Sequence, residues 1–104
     1  MHPKHFQERV FRIAHTIRIS TDNTPGAKFH LCRQFVREEG LLPEDEVIEI
    51  DNPVEAIIFQ LANVQIGKSH IWASSPLMEN AWRYSKGRME GQAVRDAIRR
   101  GATR

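Results

Sequence analysis

Apolar residues recur at helical spacing in several stretches of this chain. In the first stretch they form one stripe that predicts a helix over residues 3–17, and its members are Phe6, Val10, Ile13, Ala14 and Ile17. Pro3 suits the first helical position, because the N–H that proline lacks would be unpaired there anyway. Apolar and polar residues also alternate over 10–19, as they do in a strand. The helix is preferred because Phe6 and Val10 extend its stripe.

A second helix is predicted from Pro25 to about Glu39, after the turn-forming residues 21–26. Thr24 can cap its N-terminus, and Gly40 can adopt the left-handed conformation just past its end. The predicted inner face consists of Phe29, Leu31, Cys32, Phe35 and Val36, and the outer face of His30, Arg33, Gln34 and Arg37.

A third helix is predicted to begin at Pro53 and to end near Gln65. Asn52 can cap it, Pro53 fits the first position, and the Glu55 side chain can bond back to the cap in a capping box. The helix is apolar around more than half of its circumference, which places it at the centre of the fold. Residues 46–50, which include the β-branched Val47 and Ile48, predict a short strand, and residues 69–73 predict a second short strand or an extended link. Together the two strands would form a minor two-stranded β element.

The last stretch starts with Ser75 as a cap and Pro76 as the first helical residue. Its apolar residues before and after Gly87 define two faces that differ by roughly 150° at 3.6 residues per turn. One straight amphipathic helix cannot bury both faces, so a break is predicted at residues 86–88, with Gly101 closing a fifth helix. The predicted fold is therefore mostly α: a compact bundle of four to five short helices in one domain, residues 1–104.

Composition agrees with a small folded domain in a reducing compartment. The chain has 104 residues, of which 40% are hydrophobic and 27% charged, so one core can form without disulfides. Its lone cysteine, Cys32, has no partner for an internal disulfide. The sequence shows no signal-like apolar run and no stretch apolar enough to span a bilayer. We therefore expect a cytoplasmic protein without membrane contact.

Charge is distributed unevenly along the chain, although the formal net charge is only +2. Residues 1–20 sum to +3, residues 21–52 to −5 and residues 53–104 to +4. An acidic middle between basic ends can mark an interaction surface.

No motif in the chain predicts catalysis, a metal or a cofactor. Gly67-Lys68-Ser69 resembles the end of a phosphate-binding loop, but Ala62 stands where that motif needs a glycine. The histidines (His2, His5, His15, His30 and His70) do not have the spacing of zinc ligands. Cys32 is expected to be a buried, inert thiol. We therefore expect a protein that is not an enzyme.

The basic C-terminal part supports a first hypothesis, a small binding or regulatory module that contacts nucleic-acid phosphates. The cations assigned to this role are Arg83, Lys86, Arg88, Arg95, Arg99 and Arg100. The hypothesis depends on a turn at Gly87 and on guanidinium groups that face solvent without internal partners.

A second hypothesis is an adaptor or inhibitor that masks the surface of a partner protein. The acidic residues 38–51, the aromatic side chains and the arginines would supply its contacts, because aromatic and arginine residues concentrate binding energy. The residues assigned to this surface are Glu44, Asp45, Glu46, Glu49, Trp72, Trp82 and Tyr84. Neither hypothesis specifies an oligomeric state.

Overall fold

A computed structural model describes residues 1–20, 24–63 and 75–102, and these ranges contain four helices. Their bounds are Pro3–Arg18 for α1, Pro25–Glu38 for α2, Pro53–Ala62 for α3 and Pro76–Ala102 for α4. Each helix begins at a proline, where the missing N–H costs no hydrogen bond. Local sequence therefore determines where every described helix starts.

Helix α1 confirms the prediction for the first stretch of the chain. Phe6, Val10 and Ile17 are fully buried, and Ile13 and Ala14 nearly so, which shows that the stripe packs on the core. The alternative of a strand over residues 10–19 is wrong, because the helix continues to Arg18.

Helix α2 has the predicted cap and the predicted turn after its end. The Thr24 hydroxyl accepts a hydrogen bond from the Ala27 amide at 3.3 Å, and Gly40 has a φ of +74°. Of the predicted inner face only Cys32 and Val36 are fully buried; the other three members are half-buried.

Helix α3 begins as predicted but ends earlier. The Asn52 side chain accepts a hydrogen bond from the Glu55 amide at 3.0 Å, while the last helical residue is Ala62 rather than Gln65. The Glu55 carboxylate does not complete a capping box, because it is buried and receives the Arg33 guanidinium instead, at 3.2 Å.

The predicted strand at residues 46–50 is wrong. This part of the chain is irregular, and the Ile48 carbonyl accepts a hydrogen bond from the Arg33 side chain at 2.8 Å, so it takes no part in a strand ladder. The second predicted strand, residues 69–73, lies outside the described residues, as does Trp72.

The predicted break at residues 86–88 is also wrong, since α4 runs through Gly87 and Gly101 without interruption. The prediction of a break requires both apolar faces to be buried. Only the first face packs on the core, through Met78 and Ala81, whereas Val94 and Ile98 of the second face are exposed. One unbroken helix therefore satisfies the packing, and the described ranges contain four helices rather than five.

The four helices and the α2–α3 connection share one hydrophobic cluster. Helix α1 packs mainly against α3, and α3 packs in turn against α4. Besides the α1 stripe, the cluster contains Cys32, Val36, Leu41, Leu42, Ile48, Val54, Ile57, Ile58, Leu61, Met78 and Ala81. No helix within the described ranges combines the length and apolar character that a membrane span requires.

Candidate interaction surface

The acidic segment, which we define as residues 44–51, is irregular in structure but held at several points. Glu46 reaches α4, and Ile48 is buried. The side-chain amide of Asn52 donates a hydrogen bond to the Glu49 carbonyl at 3.1 Å. These attachments fix the backbone, so the remaining side chains of the segment project from a supported position.

Several side chains of the acidic segment face solvent. Glu44, Asp45, Glu49 and Asp51 are exposed, and none of them forms an ion pair with another described residue. Val47 is 94% exposed and Ile50 66% exposed, although both are large and apolar. The segment therefore presents apolar side chains among carboxylates that lack an intramolecular cation in the described part of the chain.

Glu46 links the acidic segment to α4 through two arginines. Its carboxylate accepts a hydrogen bond from Arg88 at 2.6 Å and another from Arg95 at 3.1 Å. Arg88 also donates to the Tyr84 hydroxyl at 3.3 Å, and this bond, together with the charge of Glu46, raises the pKa of Arg88 above its usual value. Two of the predicted phosphate-binding arginines are thus engaged within the chain.

The other predicted cations differ in their surroundings. Arg83 pairs with Glu79 at 2.7 Å, and the Lys86 ammonium lies 3.9 Å from Glu90 and above the Trp82 ring. Both pairs join residues four apart on the helix surface, where ion pairs contribute about 0.3–0.5 kcal/mol. Arg99 and Arg100 lie at the exposed end of α4.

Residues 93–101, which we call the basic helix end, form the C-terminal, largely solvent-exposed part of α4. Val94 is 57% exposed and Ile98 66% exposed, and Ala93 and Ala97 are exposed as well. This end of the helix therefore buries little apolar surface against the rest of the described chain.

The predicted aromatic contacts are less accessible than expected. Trp82 is half-buried, and its indole N–H donates to the Met1 carbonyl at 3.1 Å. Tyr84 is half-buried beneath the Arg88 guanidinium, which lies 5.2 Å from its ring centre. Both rings are therefore engaged within the chain.

Cys32 lies in the core and does not form a nucleophilic site. The pKa of the Cys32 thiol is raised from 9.0 to about 12, mainly by burial and also by the Glu55 carboxylate, while Arg33 acts in the opposite direction. Among the described residues, no three His, Cys, Asp or Glu side chains are placed to hold a metal ion together.

Sequence reasoning missed the exposed apolar residues of both segments. Val94 and Ile98 were assigned to a buried face, and Val47 and Ile50 to a strand. The signal for Val47 and Ile50 is their position among five carboxylates within eight residues, since so dense a cluster of charge keeps a segment at the surface. Comparison with known proteins finds no matching family model, no matching curated protein and no matching solved structure.

Proposed function

We propose that this chain is a protein-binding module that docks a partner on the acidic segment and the basic helix end. The observation that carries the proposal is the location of the large apolar side chains that are exposed to solvent. Of the seven such side chains in the described part of the chain, four belong to these two segments: Val47, Ile50, Val94 and Ile98. Apolar side chains concentrated in this way at the surface are typical of sites that another protein covers.

The charges around these side chains support a protein partner with complementary charge. The exposed carboxylates of the acidic segment attract a basic rim, and the arginines of the basic helix end attract an acidic one. Charged rims of this kind mainly raise the association rate and the specificity, while the apolar side chains supply affinity when they are covered.

Contact with nucleic acid remains a prediction for the same helix, but the geometry supports it less. Arg88 and Arg95 would have to leave Glu46 before their full charge could reach a phosphate. The predicted turn at Gly87 is replaced by a continuous helix. The chemistry therefore favours a protein partner.

Capture experiments with matched variants test the proposal. We expect the tagged chain to retain a stoichiometric protein from an extract of its native host, and Ile50→Asp to lose it. Ile19→Asp serves as the control, because Ile19 is 64% exposed and Ile50 66%, so both substitutions place a charge at a similarly exposed isoleucine. Retention by all three chains would contradict the proposed surface.

A nucleic-acid arm separates the two hypotheses. Filter binding with DNA and RNA at about 50 mM salt, where phosphate contacts are strong, should show little affinity. Recovery of nucleic acid alone, with a steep salt dependence that Arg99→Ala flattens, would reject the proposal in favour of phosphate binding.

A further inference from the structure

We propose that the partner is a second copy of this chain, and that the acidic segment of each copy lies across the basic helix end of the other. This inference rests on the proposed function, since it uses the same surface and names its occupant. The argument comes from the side chains that each segment presents to solvent and from their charges.

Over residues 45–49, the side chains of the acidic segment alternate between facing solvent and facing the rest of the chain. Glu46 and Ile48 face the chain itself, one bound to α4 and the other buried, whereas Val47 and Glu49 face solvent. Asp45, two residues before Val47, is exposed too. Residues 45–49 therefore present one apolar side chain, Val47, between two exposed carboxylates.

The basic helix end presents a matching arrangement. Val94 and Ile98 are four residues apart and form one row on the helix surface, while Arg95 and Arg99 form the adjacent row. All four side chains are exposed. Arg95 is held by Glu46 of its own chain, so the apolar row can receive Val47 while the Arg99 guanidinium receives Asp45 or Glu49.

Net charge favours this pairing as well. The acidic segment carries five carboxylates and no cation, whereas residues 93–101 carry three arginines against Asp96. Attraction between oppositely charged surfaces steers their encounter and disfavours the pairing of two acidic or two basic surfaces.

A second copy is the simplest occupant because each chain carries both halves of the complementary pair. In a twofold arrangement the acidic segment of each copy meets the basic helix end of the other copy, so the contact forms twice. The basic helix end also gains from being covered, since a short helical end with little apolar burial is only marginally stable in water.

Sedimentation equilibrium of the full chain from about 1 µM to about 500 µM, the range of weak and moderate affinities, tests the inference. We expect a reversible monomer–dimer equilibrium that Ile98→Glu weakens at least about tenfold, as at an interface hot spot. Ile19→Glu, at a similarly exposed isoleucine outside both segments, should leave the equilibrium unchanged. Circular dichroism verifies that both variants keep their helix content.

Charge reversal tests which surfaces meet. Glu49→Lys alone and Arg99→Glu alone should each weaken self-association by about fivefold, because two exposed ion pairs become repulsive in every dimer. An equimolar mixture of the two variants should recover the affinity of the parent chain, since one mixed dimer restores both opposite-charge contacts.

The outcomes for the inference and for the proposed function differ. A chain that stays monomeric at every concentration overturns the inference, while loss of a captured protein on Ile50→Asp would still uphold the proposed function. A dimer that Ile98→Glu leaves intact, or a mixture that recovers no affinity, also overturns the inference. Self-association retained by Ile98→Glu, together with capture retained by Ile50→Asp, would reject both.

Discussion

At the residue scale, one carboxylate accounts for much of the difference between the expected and the observed surface. Glu46 binds Arg88 and Arg95, two arginines that the sequence suggested for nucleic acid. Arg88 lies 42 positions and Arg95 49 positions after Glu46 in the chain, so no local pattern predicts the contact. Attachment of Glu46 to α4 also explains why its neighbour Val47 faces solvent.

Glu55 is a second residue whose role depends on distant partners. Its carboxylate is 1% exposed and accepts a hydrogen bond from Arg33, while Arg37 lies 3.9 Å away. The second carboxylate oxygen, Oε2, has no hydrogen-bond partner in the described structure. The sequence predicts that Glu55 bonds back to the Asn52 cap of α3 and that Arg33 and Arg37 of α2 face solvent. In the fold Glu55 receives these two arginines instead.

Cys32 gives a prediction about stability at high pH. Because the pKa of the thiol is about 12 in the folded chain and ordinarily 9.0, the unfolded chain loses this proton first as the pH rises. The free energy of unfolding should therefore decrease between pH 9 and 12, with this thiol contributing at most about 1.4 kcal/mol per pH unit. Urea unfolding of the parent chain and of Cys32→Ala at several pH values measures the difference.

The Cys32→Ala variant should show a shallower decrease over that range, even though the cavity it creates lowers its stability at neutral pH. Equal slopes for the two chains would show that the thiol does not remain protonated in the folded state.

At the element scale, the starts of all four described helices and the ends of α1 and α2 were predictable, whereas the end of α3 and the continuity of α4 were not. A cap followed by proline acts through neighbouring backbone groups, so Asn52-Pro53 and Ser75-Pro76 give the starts of α3 and α4 directly. The end of a helix depends on which of its faces is buried. The prediction of a break at Gly87 is wrong for this reason, since it requires burial of the second apolar face, and that face is exposed.

Two glycines should respond to alanine with opposite signs. A Cβ at Gly87 would meet nothing within 4 Å, so Gly87→Ala should stabilise α4 by about 0.5–1 kcal/mol. Gly40 has a φ of +74°, and Gly40→Ala should cost about 1–2 kcal/mol, because the left-handed conformation strains any residue with a Cβ. Urea unfolding midpoints measure both effects. A destabilised Gly87→Ala chain would indicate that the helix is interrupted there after all.

At the scale of the whole molecule, α4 has two parts with different roles. Met78, Ala81 and Ser85 are buried and attach its first half to the core, whereas residues 93–101 are almost all exposed. One continuous helix thus connects the core to the surface that we propose for binding, and the Glu46 contact aligns the acidic segment beside it.

Hydrogen exchange should reveal this division along α4. In dilute solution the amides around residues 81–85 should exchange slowly, because they open only with the core, while those of residues 97–101 should be protected less than about tenfold. Mass spectrometry of peptides from both parts measures the gradient, and the peptide around Val10 of α1 serves as the internal reference. Uniform protection along α4 in dilute solution would contradict the division.

The sequence by itself determined the helical class, the residues at which the helices begin and the inward stripe of α1. All of these follow from contacts between residues that are near one another in the chain. Only the tertiary structure decided that α4 is unbroken, that Glu46 binds two arginines and that Val47, Ile50, Val94 and Ile98 face solvent. Those outcomes depend on which surfaces the folded core leaves uncovered, and residues far apart in the chain determine that together.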